Sequence, residues 1–481
     1  MHVHLIGVCG TGMGALAGLL VAAGHRVTGS DRAFHPPMGP ALAKWGVETM
    51  PGWDPANLEP APDLVVVGNV CRPDNPEARA AIDGGLAVTS FPAAMEEMFL
   101  AERPGFVVAG THGKTTTTSL LAFLLRETGK DPGMLVGGIP RNFDVAFRRG
   151  AADAPFVIEG DEYDSAFFEK RPKFWRYRPW GVVLTSVEHD HVDIYPDEAS
   201  YLAAFEGLID RIPEDGILVA WAGDARVRAL ARRARCRVRF YALEGDDCGD
   251  AAPIWMAATG KPIGGAQPLD LYGGGTFLGR VTSPLSGKHN ARNALAAIAL
   301  ASEGAGAEVS DAMNAVARFA GVRRRQELLG VAGGVWVYED FAHHPTAVRE
   351  TLGGLKARHP GGRLVGVFEP RSATDSRRTH QAAYPEAFGP ADVAILAPVG
   401  RPEIPAEEKL DTAAIAEAIR ARGGEAHASA DLDEVLERVV AAARPGDAVV
   451  LMSNGAFGGI YDRVLAALTG EAIAAPARSP G

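Results

Sequence analysis

The chain has 481 residues, which at roughly 100–200 residues per domain is enough for two to four domains. It is 47% hydrophobic and 22% charged, an ordinary globular balance, and no unbroken apolar run nears the roughly 18 residues a membrane-spanning helix needs. Its 48 Lys and Arg against 59 Asp and Glu leave a formal charge of −11, which argues against a general nucleic-acid binder, because neutralising a phosphate backbone takes a basic face.

Residues 3–6 read as a short buried strand, followed by a glycine turn from Gly7 to Gly14 and a helix over 15–22. Strand 27–29 ends in Ser30-Asp31. Gly10, Gly12 and Ala15 fit G-x-G-x-x-[GA], and Asp31 lies about 20 residues on, which formally satisfies a dinucleotide fingerprint. The same backbone turn suits any diphosphate, that of a UDP-sugar included, or can be structural only. An NAD-dependent oxidoreductase is therefore one open reading. Strands 64–67 and 87–89 follow, and AERPG at 101–105 reads as a linker. The first residues lack the basic and apolar segments of a signal peptide. The four cysteines (Cys9, Cys71, Cys236 and Cys248) show neither metal spacing nor disulfide density. A reduced, cytoplasmic protein is expected.

A second unit opens with strand 106–109, the loop Gly110-Thr111-His112-Gly113-Lys114 and a helix over 115–127. Strand, glycines, Lys-Thr-Thr and helix together make a phosphate-binding loop. Its backbone N–H groups and helix N-terminus favour an anion. Lys114 would neutralise phosphate and the Thr115 hydroxyl, followed by Thr116, would reach a magnesium ion. Strands 156–158 and 182–184 carry acidic clusters at or just past their ends: Glu159, Asp161, Glu162 and Asp164, then Glu188, Asp190 and Asp193 interleaved with His189 and His191. Ligands of a doubly wound sheet lie beyond the carboxyl ends of its strands, so both clusters point toward Lys114. Hard oxygens with one imidazole suit Mg²⁺ or Mn²⁺. Strand 217–220 and a helical segment over 294–302 complete the unit. His289, Asn290 and Asn293 stand at the start of that segment. A third unit follows Gly321-Val-Arg323-Arg324-Arg325, with strands at 335–338, 364–368, 393–396 and 448–452. Glu339, Asp340, His343, His344 and Pro345 follow the first of these. The expected fold class is α/β in three domains. These are an N-terminal Rossmann-like domain over 1–104, a central P-loop ATPase-like domain over 105–322 and a C-terminal Rossmann-like domain over 323–469. Residues 470–481 are expected to be a disordered tail.

The motifs in this order resemble the Mur ligase superfamily across nearly the whole chain. Within it the likeness is strongest to the ligases that join the murein tripeptide L-Ala-γ-D-Glu-meso-diaminopimelate to UDP-N-acetylmuramate in cell-wall recycling. FVIEGDEYDSAFFEKRPKF at 156–174, YEDFAHHPTAV at 338–348, FEPRSAT at 368–374 and MSNGAFGGIY at 452–461 carry that narrower likeness. The sister branch that adds L-alanine is the alternative. The resemblance implies ATP and Mg²⁺ as cofactors, with Lys114 and Thr115 at the phosphates and metal and Glu159 and His191 as further metal ligands. It implies His289, Asn290 and Asn293 at adenine, Arg325 at the phosphates and Asp340 near the ribose. It places Gly10, Thr11, Gly12, Met13 and Gly14 at the uridine diphosphate, with Ser30 and Asp31 facing the nucleotide. It also implies an acyl-phosphate intermediate. His343 and His344 are candidate bases. Arg371, Arg377, Arg378 and Arg401 are candidate partners for the peptide's carboxylates. Two positions depart from relatives: the stretch from Tyr201 to Glu206 lacks the carbamylated lysine of later-acting ligases, and Thr185-Ser186 stands where Thr-Asn is common. No nucleic-acid or membrane partner is expected, and the chain is expected to be a monomer or weak homodimer.

Overall fold

The structure, a computed structural model, describes residues 1–35, 38–192, 194–401 and 403–470. From residue 471 onward the expected tail lies outside the described residues. Three large sheets follow one another along the chain, and Asp164–Ala166 pairs with Glu169–Pro172 in a separate two-stranded antiparallel sheet. The first has five parallel strands in the spatial order Glu48–Pro51, Arg26–Asp31, His2–Ile6, Leu64–Val67 and Val88–Ser90. The middle sheet has ten strands. Its centre is parallel, with Gly105–Ala109 between Pro179–Leu184 and Phe156–Gly160. The last sheet has six strands, and Ala448–Met452 lies between Val335–Asp340 and Leu364–Phe368. The central strands are apolar without alternation because helices cover both faces. Every residue of Gly105–Ala109 and of Ala448–Met452 is buried. Among the described residues no helix is long and apolar enough to cross a membrane.

Two differences from the sequence reading have local causes. The first helix runs from Thr11 to Ala22, four residues earlier than expected, with Gly10 as its extended N-cap. Gly12 and Gly14 are thus helical residues. Six strands of the middle sheet were not anticipated: Gly133–Leu135, Phe147–Arg148, Arg237–Leu243, Trp255–Thr259, Gln267–Gly273 and Thr276–Ser283. The last three form an antiparallel extension whose outer strand is largely exposed, so their apolar pattern is thin.

The first two sheets share one continuous apolar core. The Trp45 and Phe147 rings meet edge to face at 4.9 Å across the junction, and a Cβ on Gly18 would lie 2.2 Å from the Phe147 ring. The last sheet has a separate core on each face, one around Phe368 and Tyr384, the other around Val367 and Phe457.

Candidate active site

The three sheets turn strand ends toward one cleft of about 770 Å³. Its floor is the expected phosphate loop, with Thr111, His112, Gly113 and Lys114 lining it. Strand Gly105–Ala109 runs into Gly110, and helix Lys114–Glu127 starts after Gly113. Both glycines have positive φ, 128° and 81°. A Cβ on Gly113 would lie 2.5 Å from Asn293 Oδ1, so the loop closes directly over the first turns of helix Lys288–Ala305. The Thr111 hydroxyl donates to the Glu188 carbonyl (2.9 Å) and accepts from the Glu188 N–H (2.8 Å). It ties the loop to the segment after strand Pro179–Leu184.

Lys114 Nζ donates to the Gly110 carbonyl (2.7 Å) and to both oxygens of Glu162 (3.0 and 3.2 Å). Glu162 is fully buried, and its Oε1 also meets His191 Nε2 at 3.2 Å and the Tyr201 hydroxyl at 3.1 Å. Burial alone would lower the Lys114 pKa, but Glu162 and then Asp161 outweigh it and raise it. Burial alone would raise that of Glu162, but Lys114 and His191 hold it below the usual carboxylate range. His191 has φ 55°, a backbone conformation uncommon outside glycine, with its N–H held by Asp190 Oδ1 at 2.7 Å. Its Nδ1 meets the Tyr163 hydroxyl at 2.9 Å.

Thr115 Oγ1 donates to Glu159 Oε1 (2.7 Å), and the Gly137 N–H donates to Glu159 Oε2 (2.7 Å). Arg325 crosses from the last sheet's border, and its Nη2 donates to Thr115 Oγ1 at 3.3 Å. Its guanidinium lies 4.6 Å from the Phe341 ring centre. Burial lowers the Arg325 pKa, with Asp340 and Glu159 opposing the shift. Of the three consecutive arginines only Arg325 lines the cleft; Arg323 is exposed, and Arg324 is bonded to Glu339 at 2.6 Å. Asp340 accepts backbone N–H groups from Gln326 and Ala342, each at 2.7 Å. His289 stands between Gln326 (3.4 Å) and Glu350 (3.5 Å), and Asn293 Nδ2 donates to Asn290 Oδ1 at 3.3 Å. His112, Thr116, His343 and His344 also line the cleft.

At its far end the cleft is lined by Gly10, Thr11, Gly12 and Met13, with Gly68 and Asn69 opposite. Gly110 of the phosphate loop does not line the cleft, and neither do three residues expected at this end. Gly14 is a packing glycine, since a Cβ there would lie 2.4 Å from Met38 Sδ. Ser30 is fully buried and donates to Glu77 (2.8 Å). Both Asp31 oxygens accept backbone N–H groups, from Cys9 and Arg32 at 2.8 Å each. Asp31 therefore fixes the glycine turn instead of offering a carboxylate to a ribose, which removes the acidic partner of the dinucleotide reading. None of the four arginines considered for peptide carboxylates lines the cleft. Arg377 pairs with Glu408, Arg378 donates to the Lys409 carbonyl, and Arg401 donates to the Arg371 carbonyl.

Residues beyond the expected set complete the site. Glu162 joins Lys114 to His191, and the acidic run after strand Phe156–Gly160 was its only sequence signal. Trp221 lines the cleft under the Arg292 guanidinium, 4.4 Å from its ring centre; a strand-ending tryptophan was the available hint. Glu350, on helix Pro345–Arg358, carries no local signature.

Three family models cover the chain: "Mur ligase family, catalytic domain" over residues 2–103, "Mur ligase middle domain" over 108–301 and "Mur ligase, glutamate ligase domain" over 324–455. The chain belongs to the Mur ligase family. It is thus an ATP-dependent, amide-bond-forming ligase. Among similar Mur ligases is the UDP-N-acetylmuramate–L-alanyl-γ-D-glutamyl-meso-2,6-diaminoheptandioate ligase of Escherichia coli. It is 38% identical over 477 residues, covering 99% of this chain and all of the relative. The UDP-N-acetylmuramate–L-alanine ligase of a Roseiflexus species is 34% identical, over 95% of this chain and 96% of that one. The crystal structure of a murein peptide ligase from Psychrobacter arcticus matches with TM-score 0.72 and 35% identity, covering 98% of this chain and all of that one.

Proposed function

We propose that this Mur ligase joins the tripeptide L-Ala-γ-D-Glu-meso-diaminopimelate to the lactyl carboxylate of UDP-N-acetylmuramate in murein recycling, in the cytoplasm. The observation that carries the reading is the convergence of the first glycine turn, the phosphate loop and Arg325 on one cleft. The full-length likeness to the E. coli ligase favours the tripeptide over L-alanine. We assign residues 1–104 to the UDP-sugar, 105–322 to ATP and 323–469 to the peptide.

The donor set fits the expected ligands. The loop's glycines leave its backbone free to approach a phosphate, and Asn454 Oδ1, buried at the cleft, has no protein partner. Thr115 and Glu159 present two hard oxygens 2.7 Å apart, the chemistry magnesium prefers. His191 would join them once its contact with Glu162 opens. Bound there, Mg²⁺ would offset charge on the phosphates.

The carboxylate of UDP-N-acetylmuramate attacks the γ-phosphorus of ATP, the bond to the bridging oxygen breaks, and ADP and an acyl phosphate form. Lys114 and Arg325 hold the transferring group's oxygens, so their contribution is positioning and electrostatics. Lys114 leaves Glu162 to reach them. The neutral α-amine of the peptide then attacks the acyl carbon, and phosphate departs with the electron pair of the broken C–O bond. His343 Nδ1 lies 3.1 Å from the Phe341 carbonyl. Donation there leaves Nε2 as the lone-pair nitrogen, suited to accept the amine's proton. The deciding assay is phosphate release with ATP, UDP-N-acetylmuramate and either amine. A strong preference for tripeptide is expected; a preference for free L-alanine overturns the substrate while keeping the ligase.

A further inference from the structure

Polar groups of the C-terminal unit meet the rest of the chain beside the phosphate loop, and two of them, Thr346 and His344, gather on Glu188. The backbone of Glu188 is bonded through both its N–H and its carbonyl to the Thr111 hydroxyl of the loop. Its Oε2 lies 3.3 Å from His112 Nε2, also on the loop. The same oxygen accepts from Thr346 Oγ1 at 2.7 Å and lies 3.5 Å from His344 Nδ1. Thr346 is in the first turn of helix Pro345–Arg358, and His344 is its N-cap. The His112 and His344 rings stand 4.8 Å apart. One carboxylate oxygen therefore serves the phosphate loop on one side and the C-terminal unit on the other. Burial alone would raise the Glu188 pKa, but His112 and Thr346 bring it to about 2, so the acceptor is ionised at neutral pH.

We propose that Glu188 is a positioning residue that couples the phosphate loop to the seating of the C-terminal unit, so that the acyl phosphate is held only behind a seated unit. This rests on the acyl-phosphate chemistry above. The loop's arrangement aligns Oε2, and Oε2 aligns Thr346 at the start of the helix that carries the neighbouring histidines. When the unit is unseated, water reaches the acyl carbon. The C–O bond to phosphate then breaks, and UDP-N-acetylmuramate and inorganic phosphate are released. The sum is hydrolysis of ATP to ADP and phosphate with no amide formed. Loss of the contact should thus lower the amide made per phosphate released, which general damage to the site would not do.

The test measures amide and phosphate together in the full chain with ATP, Mg²⁺, UDP-N-acetylmuramate and tripeptide. Wild type is expected to make nearly one amide per phosphate. Thr346→Val should lower that ratio several-fold, since a hydrogen bond to a charged group shifts a two-state balance by on the order of tenfold. Thr346→Ser, which keeps the hydroxyl, should restore it. Glu188→Gln carries the same test from the other side if Thr346→Val does not fold. An unchanged ratio in both variants, or equal loss of amide and phosphate, overturns the proposal. So does Zn²⁺ inhibition that His112→Ala relieves, because the triad His112, Glu188 and His344, with ligand atoms within 4.8 Å of one another, would then be a metal site. If wild type uses L-alanine instead of tripeptide, the substrate reading fails, and the ratio measured with L-alanine still decides the role of Glu188.

Discussion

Replacing Lys114 separates what the lysine does for the reaction from what it does for the fold. Its ammonium is the direct cationic partner of Glu162, a carboxylate with no solvent exposure. Removing one partner of a buried ion pair costs about 3–5 kcal/mol, because the other charge is left stranded. Glu162 would keep His191 at 3.2 Å and Tyr201 at 3.1 Å, so Lys114→Ala should sit near the lower end, about 3 kcal/mol in urea denaturation. Lys114→Ala/Glu162→Gln removes the stranded charge and should recover most of that loss. Catalysis should not follow. A preorganised charge facing the transferring phosphoryl group contributes on the order of 100- to 1,000-fold in rate, so both variants should lose ADP formation while UDP-N-acetylmuramate binding, followed by calorimetry, stays near wild type. Recovery of ligation in the double variant would refute a phosphate-facing role for Lys114. Unchanged stability in Lys114→Ala would refute the buried-pair reasoning.

Gly113→Ala should weaken ATP binding by about tenfold or more, because its Cβ would meet Asn293 Oδ1 at 2.5 Å and φ is 81°, each costing about 1 kcal/mol; fluorescent-nucleotide titration reads this out. Asp31→Ala leaves the Cys9 N–H without its acceptor, a loss of about 1–3 kcal/mol. It should weaken UDP-N-acetylmuramate binding by about tenfold while ATP binding is unchanged, and equal effects on both ligands would contradict the turn-fixing role. Glu350 has its pKa lowered to about 2, with burial opposing and His289 and then Arg292 lowering it. Its stabilisation is fully present above the ordinary value near 4.5 and is lost as pH falls toward 2. Denaturation curves across that window should be flatter for Glu350→Gln than for wild type.

What the sequence made legible was local. Strand, glycines and Lys114 announce the phosphate loop because each residue's job there is done by its own backbone or side chain. The first glycine run was legible as a strand-to-helix junction, with Gly10 as the helix N-cap and Gly12 already in the helix. Ser30 and Asp31 were legible as residues but not in orientation. Ser30 is drawn inward by Glu77, 47 residues away, and Asp31 is drawn back to Cys9. Glu162 and Glu188 illustrate the complementary limit. Both stood out as members of acidic runs, but only three-dimensional packing tells the fully buried bridge from the interdomain acceptor. The antiparallel strands from Trp255 to Ser283 escaped because an exposed edge leaves little apolar pattern to read.

The shared core of the first two sheets bears on the order of events in a turnover. On the proposed assignment the UDP-sugar and ATP sites lie on the two sheets that share this core, so the distance between the carboxylate and the γ-phosphate would be set at folding and would need no peptide to establish it. The C-terminal unit has two cores of its own, so a shift of that unit would leave the alignment intact. Substrate traffic would then be divided: the electrophile is prepared on the shared core, and the carrier of the nucleophile is the part that travels.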